Sequence, residues 1–196
     1  MNVNDVLAQL PYQSWRKTYG AAWVSPDCYP MYVAMAAKLQ PLSILEIGTF
    51  EGYGLIAFWM GAGQQLTRLD WVDTERDLSG SNAHALANLQ RASALLGWPL
   101  PESAYATSLA RLPGSDPYDL IHIDGDHNVG AALRDMVWAW RKGARVLLVD
   151  DYDFQPEPGV RQAVALFSEA SGLAFEHIPT LRGWAMFRPG TMRKGA

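Results

Sequence analysis

Two acidic clusters each follow an apolar run that is typical of a buried β-strand. DLIHI leads into Asp124, Asp126 and His127, and RVLLV leads into Asp150 and Asp151. Because parallel strands lie about 4.8 Å apart, we expect these carboxylates to converge at one sheet edge. A divalent cation would relieve their mutual repulsion, and oxygen ligands favour Mg²⁺, with Ca²⁺ or Mn²⁺ as alternatives. Capping of the following helices is the alternative role for one or two of the aspartates.

A glycine-rich turn joins another apolar run to an apolar helix, in the sequence ILEIGTFEGYGLIAFWM. Gly48, Gly52 and Gly54 permit a tight turn and a close approach of a ligand to the backbone at the end of the strand. The spacing differs from the G-x-G-x-x-G pattern of dinucleotide-binding proteins, and Glu46 stands beside the turn. A carboxylate there suits a cationic ligand better than a pyrophosphate. A tight connection without any ligand is the alternative.

Asp73 follows the next apolar run, in the sequence LDWVDTE. An α/β nucleotide-binding fold places a carboxylate here, where it binds the two hydroxyls of a ribose. Taken alone, an aspartate at a strand end serves equally well as a turn or helix cap. Together with Glu46 and the glycine turn, Asp73 indicates a pocket for an adenosine ligand that carries positive charge.

The elements that must position these residues alternate along the chain, as in an α/β fold around a mostly parallel sheet. The predicted strands are Ser43–Ile47, Leu66–Val72, Ser103–Thr107, Asp119–Ile123, Arg145–Val149, Ala174–Pro179 and Gly183–Arg188. The last two are separated only by Thr180–Arg182, which is too short for a crossover helix. We therefore expect an antiparallel hairpin at one edge of the sheet.

Apolar residues at helical spacing predict helices between these strands. One covers Asn128–Lys142, a second ends before Gly97, and a third lies between Pro158 and Gly172. We predict a single domain over residues 1–196, with residues 1–40 as a helical extension. The extension carries an aromatic stripe formed by Tyr12, Trp15 and Tyr19. The stripe either packs on the domain or on a second subunit, or covers a ligand as a lid.

The composition favours a globular protein with a small-molecule partner. The chain has 196 residues and a mass of 21.7 kDa. Of its residues, 49% are hydrophobic and 18% are charged, so there is enough apolar material for one packed core. The net charge of -4 argues against a nucleic-acid partner, since those proteins present basic faces. Cys28 is the only cysteine, which excludes an intrachain disulfide and a thiolate-rich metal site.

The same residues lead us to expect a cytoplasmic protein. A single cysteine fits a reducing compartment. The start, MNVNDVLAQL, has no basic region followed by an apolar one, and no segment reaches the roughly 18 consecutive apolar residues of a membrane helix. We therefore predict no membrane partner.

These motifs together resemble those of class I S-adenosylmethionine-dependent methyltransferases. More narrowly, they are similar to small metal-dependent O-methyltransferases of the catechol, caffeoyl-CoA and macrolide-sugar types. The resemblance runs from about Tyr29 to Phe187 and is carried by LEIGTFEGYG, Asp73, IDGDH and VDDY. It implies a Rossmann-like, doubly wound, mostly parallel seven-stranded sheet with an antiparallel C-terminal edge hairpin. It also implies S-adenosyl-L-methionine (SAM) as cofactor.

The resemblance further implies roles for individual residues. Asp73 would bind the ribose, Ser108 the adenine, and Glu46 with the glycine turn the methionyl part of SAM. The implied cofactor-binding residues are Glu46, Gly48, Thr49, Phe50, Gly52, Tyr53, Gly54, Asp73, Ser108 and Asp124. The implied metal ligands are Asp124, Asp150 and Asp151, and His127 stands at the position of the catalytic base. Many relatives have a serine where this chain has Gly54.

We therefore predict methyl transfer to a hydroxyl of a small molecule such as a phenol, a sugar or a natural product. His127 is the predicted base because an imidazole titrates near neutral pH, and a bound metal would lower the pKa of the hydroxyl. The alternative for His127 is a helix N-terminal residue without a catalytic role. His122 alternates inward on its strand and is expected to be a core histidine.

Two other functions and several features of the surface stay open at this point. A non-catalytic module that binds an adenosine nucleotide or metabolite is one alternative, since fold does not fix function. An NAD(P)-dependent oxidoreductase is the other, although the glycine spacing disfavours it. The acceptor site is expected among variable segments, namely Tyr12–Trp23, Tyr152–Pro158 and Trp184. The aromatic N-terminal segment and the edge hairpin make a homodimer the expected assembly.

Overall fold

The computed structural model of the chain describes residues 1–14, 28–75, 79–114, 116–154, 156, 158–180 and 182–192. Trp15 and Tyr19 of the predicted aromatic stripe lie outside these residues, as does most of Tyr12–Trp23. The helices are α1 (Val3–Leu7), α2 (Cys28–Leu39), α3 (Tyr53–Ala62), α4 (Ser81–Leu96), α5 (Val129–Arg141) and α6 (Gly159–Ser171). The strands are β1 (Ser43–Ile47), β2 (Arg68–Val72), β3 (Tyr105–Ala106), β4 (Leu120–Ile123), β5 (Val146–Val149), β6 (Leu173–Ile178) and β7 (Trp184–Met192).

The strands form one seven-stranded sheet in the order β3-β2-β1-β4-β5-β7-β6. β1 pairs with β4 in parallel, β4 with β5, and β2 with β3. β7 is antiparallel to both β5 and β6, so the C-terminal hairpin occupies one edge of the sheet. This topology confirms the predicted Rossmann-like, doubly wound, mostly parallel sheet with an antiparallel edge hairpin.

The chain divides into two compact units. The first comprises Met1–Ser43 and Thr49–Pro113, and the second comprises Ile44–Gly48 and Gly114–Ala196. In the first unit, α2 packs along α3. The helix α3 is apolar on all sides, and Leu55 and Phe58 are fully buried in it, as expected for a helix inside a core.

In the second unit, β4 and β5 are buried at every residue. The helices α5 and α6 pack against each other, and α5 also contacts both strands. Strands covered on both faces read as continuous apolar runs, which is why DLIHI and RVLLV revealed them in the sequence. None of the helices among the described residues is long and apolar enough to span a membrane.

Candidate active site

The carboxyl ends of β4 and β5 bring Asp124, His127 and Asp151 together. Each residue offers one ligand atom, and the three atoms lie within 4.8 Å of one another. His127 Nε2 lies 2.9 Å from Asp151 Oδ2. Asp151 is buried and has a left-handed backbone with φ 58°. Aspartate is one of the few side chains tolerated in that region, so some backbone strain is held at the residue that contacts His127.

Packing fixes the backbone of His127 from the side of α6. A Cβ atom at Gly159, the first residue of α6, would overlap the carbonyl oxygen of His127. The ring of His127 also meets the ring of Phe154 edge-on, with 6.3 Å between the centroids. Asp126 has a different role, because its Oδ1 accepts the Asn128 N–H at 2.9 Å where α5 begins. Asp126 therefore holds the N-cap residue Asn128, and this bond is not one to the N–H groups of the first turn of α5.

Asp150 contacts the backbone of Asp151 and lies near the ring of His122. Its Oδ1 accepts the N–H of Asp151 at 2.7 Å, and its Oδ2 lies 3.8 Å from His122 Nε2. On the other side of the ring, His122 Nδ1 lies 2.9 Å from Glu46 Oε1. Glu46 and His122 are paired across β1 and β4, and both side chains are buried. The interior of the sheet thus contains a carboxylate, an imidazole and a second carboxylate in a row.

The charges of this row determine how its members titrate. Burial lowers the pKa of His122, but the carboxylates of Asp150 and Glu46 outweigh burial and raise it to about 10. His122 is therefore an imidazolium cation at neutral pH. Burial also raises the pKa of Asp124 well above the ordinary aspartate value, and the charges of Asp150 and Asp151 raise it further. His122 is thus the buried core histidine that the sequence predicted, and it is also charged.

Arg182 adds a second cation to the site. Its Nη1 donates to Asp151, at 3.1 Å from Oδ1 and 3.3 Å from Oδ2. Burial lowers the pKa of Arg182, but the charges of Asp151 and Asp124 outweigh it and raise the pKa above the ordinary value. The sequence analysis missed Arg182 because it lies 31 residues beyond Asp151, in the turn before β7, and no motif connects the two.

Gly48 follows β1 and turns the chain next to the acidic segment that begins at Asp124. It has φ +87°, and a Cβ atom there would overlap the carbonyl oxygen of Asp124. The backbone of Asp124 is also bound to this strand, since its N–H donates to Ile47 O at 2.8 Å. The requirement for glycine at this position therefore comes from the chain itself.

In the first unit, Asp73 ties the glycine turn to α4. Its Oδ2 accepts the N–H of Phe50 at 2.7 Å. Its Oδ1 accepts the N–H of Glu75 at 2.7 Å and the hydroxyl of Ser81 at 2.9 Å. A carboxylate has about four acceptor positions, so these three bonds leave capacity for another donor. Asp73 thus stabilises the turn, which was one of its two predicted roles. Its remaining acceptor capacity is compatible with the other predicted role, which is to bind the hydroxyls of a ribose.

The remaining predicted cofactor residues lie around the same turn or after β3. Thr49 is buried, and its Oγ1 has no hydrogen-bond partner among the described residues. Gly52 has φ +80° and caps α3, and Tyr53 and Gly54 are the first residues of that helix. Ser108 precedes a short 3-10 helix and accepts the N–H of Arg111 at 3.0 Å.

A match to a known family covers the glycine turn, Asp73 and both acidic segments, because the methyltransferase domain pattern matches residues 45–152. The chain belongs to the methyltransferase domain family. A catechol O-methyltransferase from Mycobacterium tuberculosis is 26% identical over 175 residues, which cover 81% of this chain and 76% of the relative. The family and the sheet topology make this chain a class I SAM-dependent methyltransferase.

Solved structures share the fold of this methyltransferase. A cofactor-bound protein from MTB superposes with a TM-score of 0.70 and 24% identity, over 95% of this chain and 88% of that chain. An O-methyltransferase from Bacillus cereus in complex with SAH has a TM-score of 0.67 and 20% identity, over 94% of this chain and 89% of that chain.

Proposed function

We propose that this methyltransferase transfers the methyl group of SAM to a hydroxyl oxygen of a small molecule. The observation that carries this proposal is the convergence of Asp124, His127 and Asp151 at one end of β4 and β5. An imidazole that is oriented by a carboxylate can remove a hydroxyl proton as a general base. The relative from M. tuberculosis is a catechol O-methyltransferase, which supports oxygen as the acceptor atom.

SAM is assigned to the glycine turn and the neighbouring strand ends. Asp73 takes the ribose hydroxyls and Ser108 the adenine. The residues assigned to the rest of SAM are Glu46, Gly48, Thr49, Phe50, Gly52, Tyr53, Gly54 and Asp124. The remaining acceptor capacity of the Asp73 carboxylate supports this assignment, and so does the buried hydroxyl of Thr49, which has no partner among the described residues.

Asp124 and Asp151 are proposed to hold a divalent ion, Mg²⁺ by preference. The two carboxylates belong to a group whose offered ligand atoms all lie within 4.8 Å of one another, and carboxylate oxygens are ligands that Mg²⁺ prefers. Asp124 and Asp151 are members both of this group and of the three ligands predicted from the sequence. The third predicted ligand, Asp150, accepts the N–H of Asp151 and lies near His122. When bound, the ion would stabilise the ionised acceptor oxygen and so lower the pKa of its hydroxyl.

The chain's own residues carry the rest of the reaction. His127 accepts the proton of the hydroxyl, Asp151 orients its ring, and the oxygen forms a bond to the methyl carbon as the bond from carbon to sulfur breaks. S-Adenosylhomocysteine leaves with the electron pair of that bond. Alignment of the oxygen behind the methyl carbon supplies much of the acceleration, because it replaces a bimolecular encounter.

Calorimetric titration with SAM and, in parallel, with NAD tests the class of cofactor. We expect SAM to bind in the micromolar range and NAD to give no heat, each with Mg²⁺ and with a chelator. His127→Ala should bind SAM like the wild type but methylate phenol and sugar acceptors about 10² to 10⁴ times more slowly. NAD binding without SAM binding would contradict the proposal. Full activity of His127→Ala would remove the histidine from the mechanism.

A further inference from the structure

The turn that carries Arg182 is fastened to the loop after β5. The N–H of Tyr152 donates to Gly183 O at 3.0 Å, and the N–H of Asp153 donates to Arg182 O at 2.6 Å. Within the turn, the N–H of Gly183 donates to Thr180 Oγ1 at 2.8 Å. The backbone of Arg182 is therefore held next to Asp151 through the two residues that follow Asp151.

Side chains also hold this turn against the loop after β5. Gly183 has φ +76°, and a Cβ atom there would overlap the carboxylate of Asp153. That carboxylate is itself held by Arg161 at 2.5 Å and by His177 Nε2 at 2.6 Å. These contacts hold the turn against the loop. The backbone position from which the Arg182 side chain extends toward Asp151 is therefore fixed.

The guanidinium of Arg182 lies between Asp151 and an aromatic ring. Its Nη1 is 3.1 Å from Asp151 Oδ1, and its carbon is 4.9 Å from the centroid of Phe154. Only 23% of the Arg182 side chain is exposed. A planar guanidinium that stacks on a ring and forms an ion pair loses little further freedom, so this contact is preorganised.

We propose that Arg182 is the resident cation of the group Asp124, His127 and Asp151, and that it competes with divalent ions for Asp151. It is an inference about the metal site included in the proposed function. Nη1 lies within 3.3 Å of both carboxylate oxygens of Asp151 that an ion would need. Two cations at contact distance from one carboxylate repel each other, so an ion binds there only when the guanidinium withdraws.

Two consequences follow for the metal-free protein. The charge of Asp151 is offset by the chain itself, through Arg182, whose Nη1 lies 3.1 Å from Asp151 Oδ1. The geometry of Asp151 and His127 therefore persists without a metal. Divalent ions bind weakly to the wild type, because each must displace an ion pair that is already formed.

Calorimetric titration of the full chain with Mn²⁺ tests the competition. Arg182→Met should bind Mn²⁺ about tenfold more tightly than the wild type, since a charge-assisted hydrogen bond no longer opposes the ion. Arg145→Met is the matched control: it also removes an arginine paired with an aspartate, Asp119, but directly before β5, at the opposite end of that strand. Its affinity for Mn²⁺ should equal that of the wild type.

Thermal unfolding in chelator and in Mn²⁺ gives an independent readout. Arg182→Met should melt at a lower temperature than the wild type in chelator, and Mn²⁺ should restore much of the loss, whereas the wild type should respond little. Arg182→Lys keeps the charge without the planar fork, so its affinity for Mn²⁺ should lie between the two, which provides a test if Arg182→Met fails to fold.

Equal affinities of the wild type and Arg182→Met for Mn²⁺, or no binding by either, would overturn the competition. Titration with SAM separates this failure from failure of the proposed function. Arg182→Met should bind SAM like the wild type, because Arg182 is not among the residues assigned to SAM. A wild type that does not bind SAM would contradict the proposed function and leave the result with Mn²⁺ standing.

Discussion

Gly48, the residue after β1, lies against the backbone that follows β4. Gly48→Ala would introduce two separate penalties, a left-handed conformation for a residue with a side chain and an overlap with the carbonyl oxygen of Asp124. Gly97 is a natural control, since its backbone is left-handed, with φ 67° and ψ 26°, and nothing lies within 4 Å of its would-be Cβ atom. The two positions separate conformational strain from steric overlap.

We expect Gly97→Ala to lower the free energy of unfolding by about 1–2 kcal/mol, which is the ordinary cost of a left-handed alanine. Gly48→Ala should lower it by about 4 kcal/mol or more, because backbone must move to relieve the overlap. Urea unfolding followed by circular dichroism measures both values. Equal losses in the two variants would show that the approach to Asp124 O does not constrain Gly48.

Individual site residues were predictable where they follow an apolar strand directly. Asp124, His127 and Asp151 come together because the ends of β4 and β5 are neighbours, and the two apolar runs indicated as much. Arg182 was not predictable, since its place depends on how a distant turn folds back onto the loop after β5. The partnership of His122 with Glu46 depends on the register between β1 and β4, which no short motif specifies.

The N-terminal segment before residue 15 is bound to the glycine turn through Glu51 and α4. Ser14 donates to the buried carboxylate of Glu51, from its N–H at 2.7 Å and from its hydroxyl at 2.6 Å. Asn88 on α4 accepts the N–H of Tyr12 at 3.1 Å and donates to Tyr12 O at 3.0 Å and Glu51 O at 2.9 Å. Tyr12 also stacks on His84, with 3.9 Å between the ring centroids.

Asn88→Ala should therefore release this segment. The side chain of Asn88 is fully buried and makes three hydrogen bonds, so we expect stability to fall by about 2–3 kcal/mol. Amide hydrogen exchange at residues 10–14 should become faster, because local opening no longer breaks these bonds. Gln90→Ala changes an exposed residue of the same helix and should alter neither quantity. Unchanged exchange in Asn88→Ala would mean that the segment is held without it, by the bonds from Ser14 to Glu51 and from the Tyr53 hydroxyl to Tyr12 O at 3.0 Å.

Central elements of the sheet were easier to predict than its edges. β1 has the predicted bounds, and β4 and β5 each begin one residue later than predicted. β3 is shortened to Tyr105–Ala106, and β7 extends to Met192 beyond the predicted Arg188. Burial on both faces imposes continuous apolar residues on central strands, whereas edge strands such as β3 pair on one side only.

The stability of the whole molecule should depend on pH through buried carboxyl groups. Asp135 lies on α5, and burial raises its pKa from 3.8 to about 6; Arg134 opposes this shift and the charge of Asp126 adds to it. The folded state therefore holds the proton of Asp135 more tightly than the unfolded state does. Below about pH 3.8 both states are protonated at this group, and the stabilisation from the bound proton is complete.

As pH rises from about 4 to above 6, the unfolded chain ionises first and this stabilisation is lost. A pKa difference of that size corresponds to about 3 kcal/mol without screening, and partial solvent access reduces our expectation to about 1–2 kcal/mol. Asp135→Asn has no proton to lose, so its stability relative to the wild type should grow over this range and level off above it. Urea unfolding at a series of pH values measures the difference, with the exposed Asp116→Asn as a control that should track the wild type. A gain from Asp135→Asn that is the same at every pH would assign the effect to packing of the amide, because only a titrating carboxyl group changes its contribution with pH.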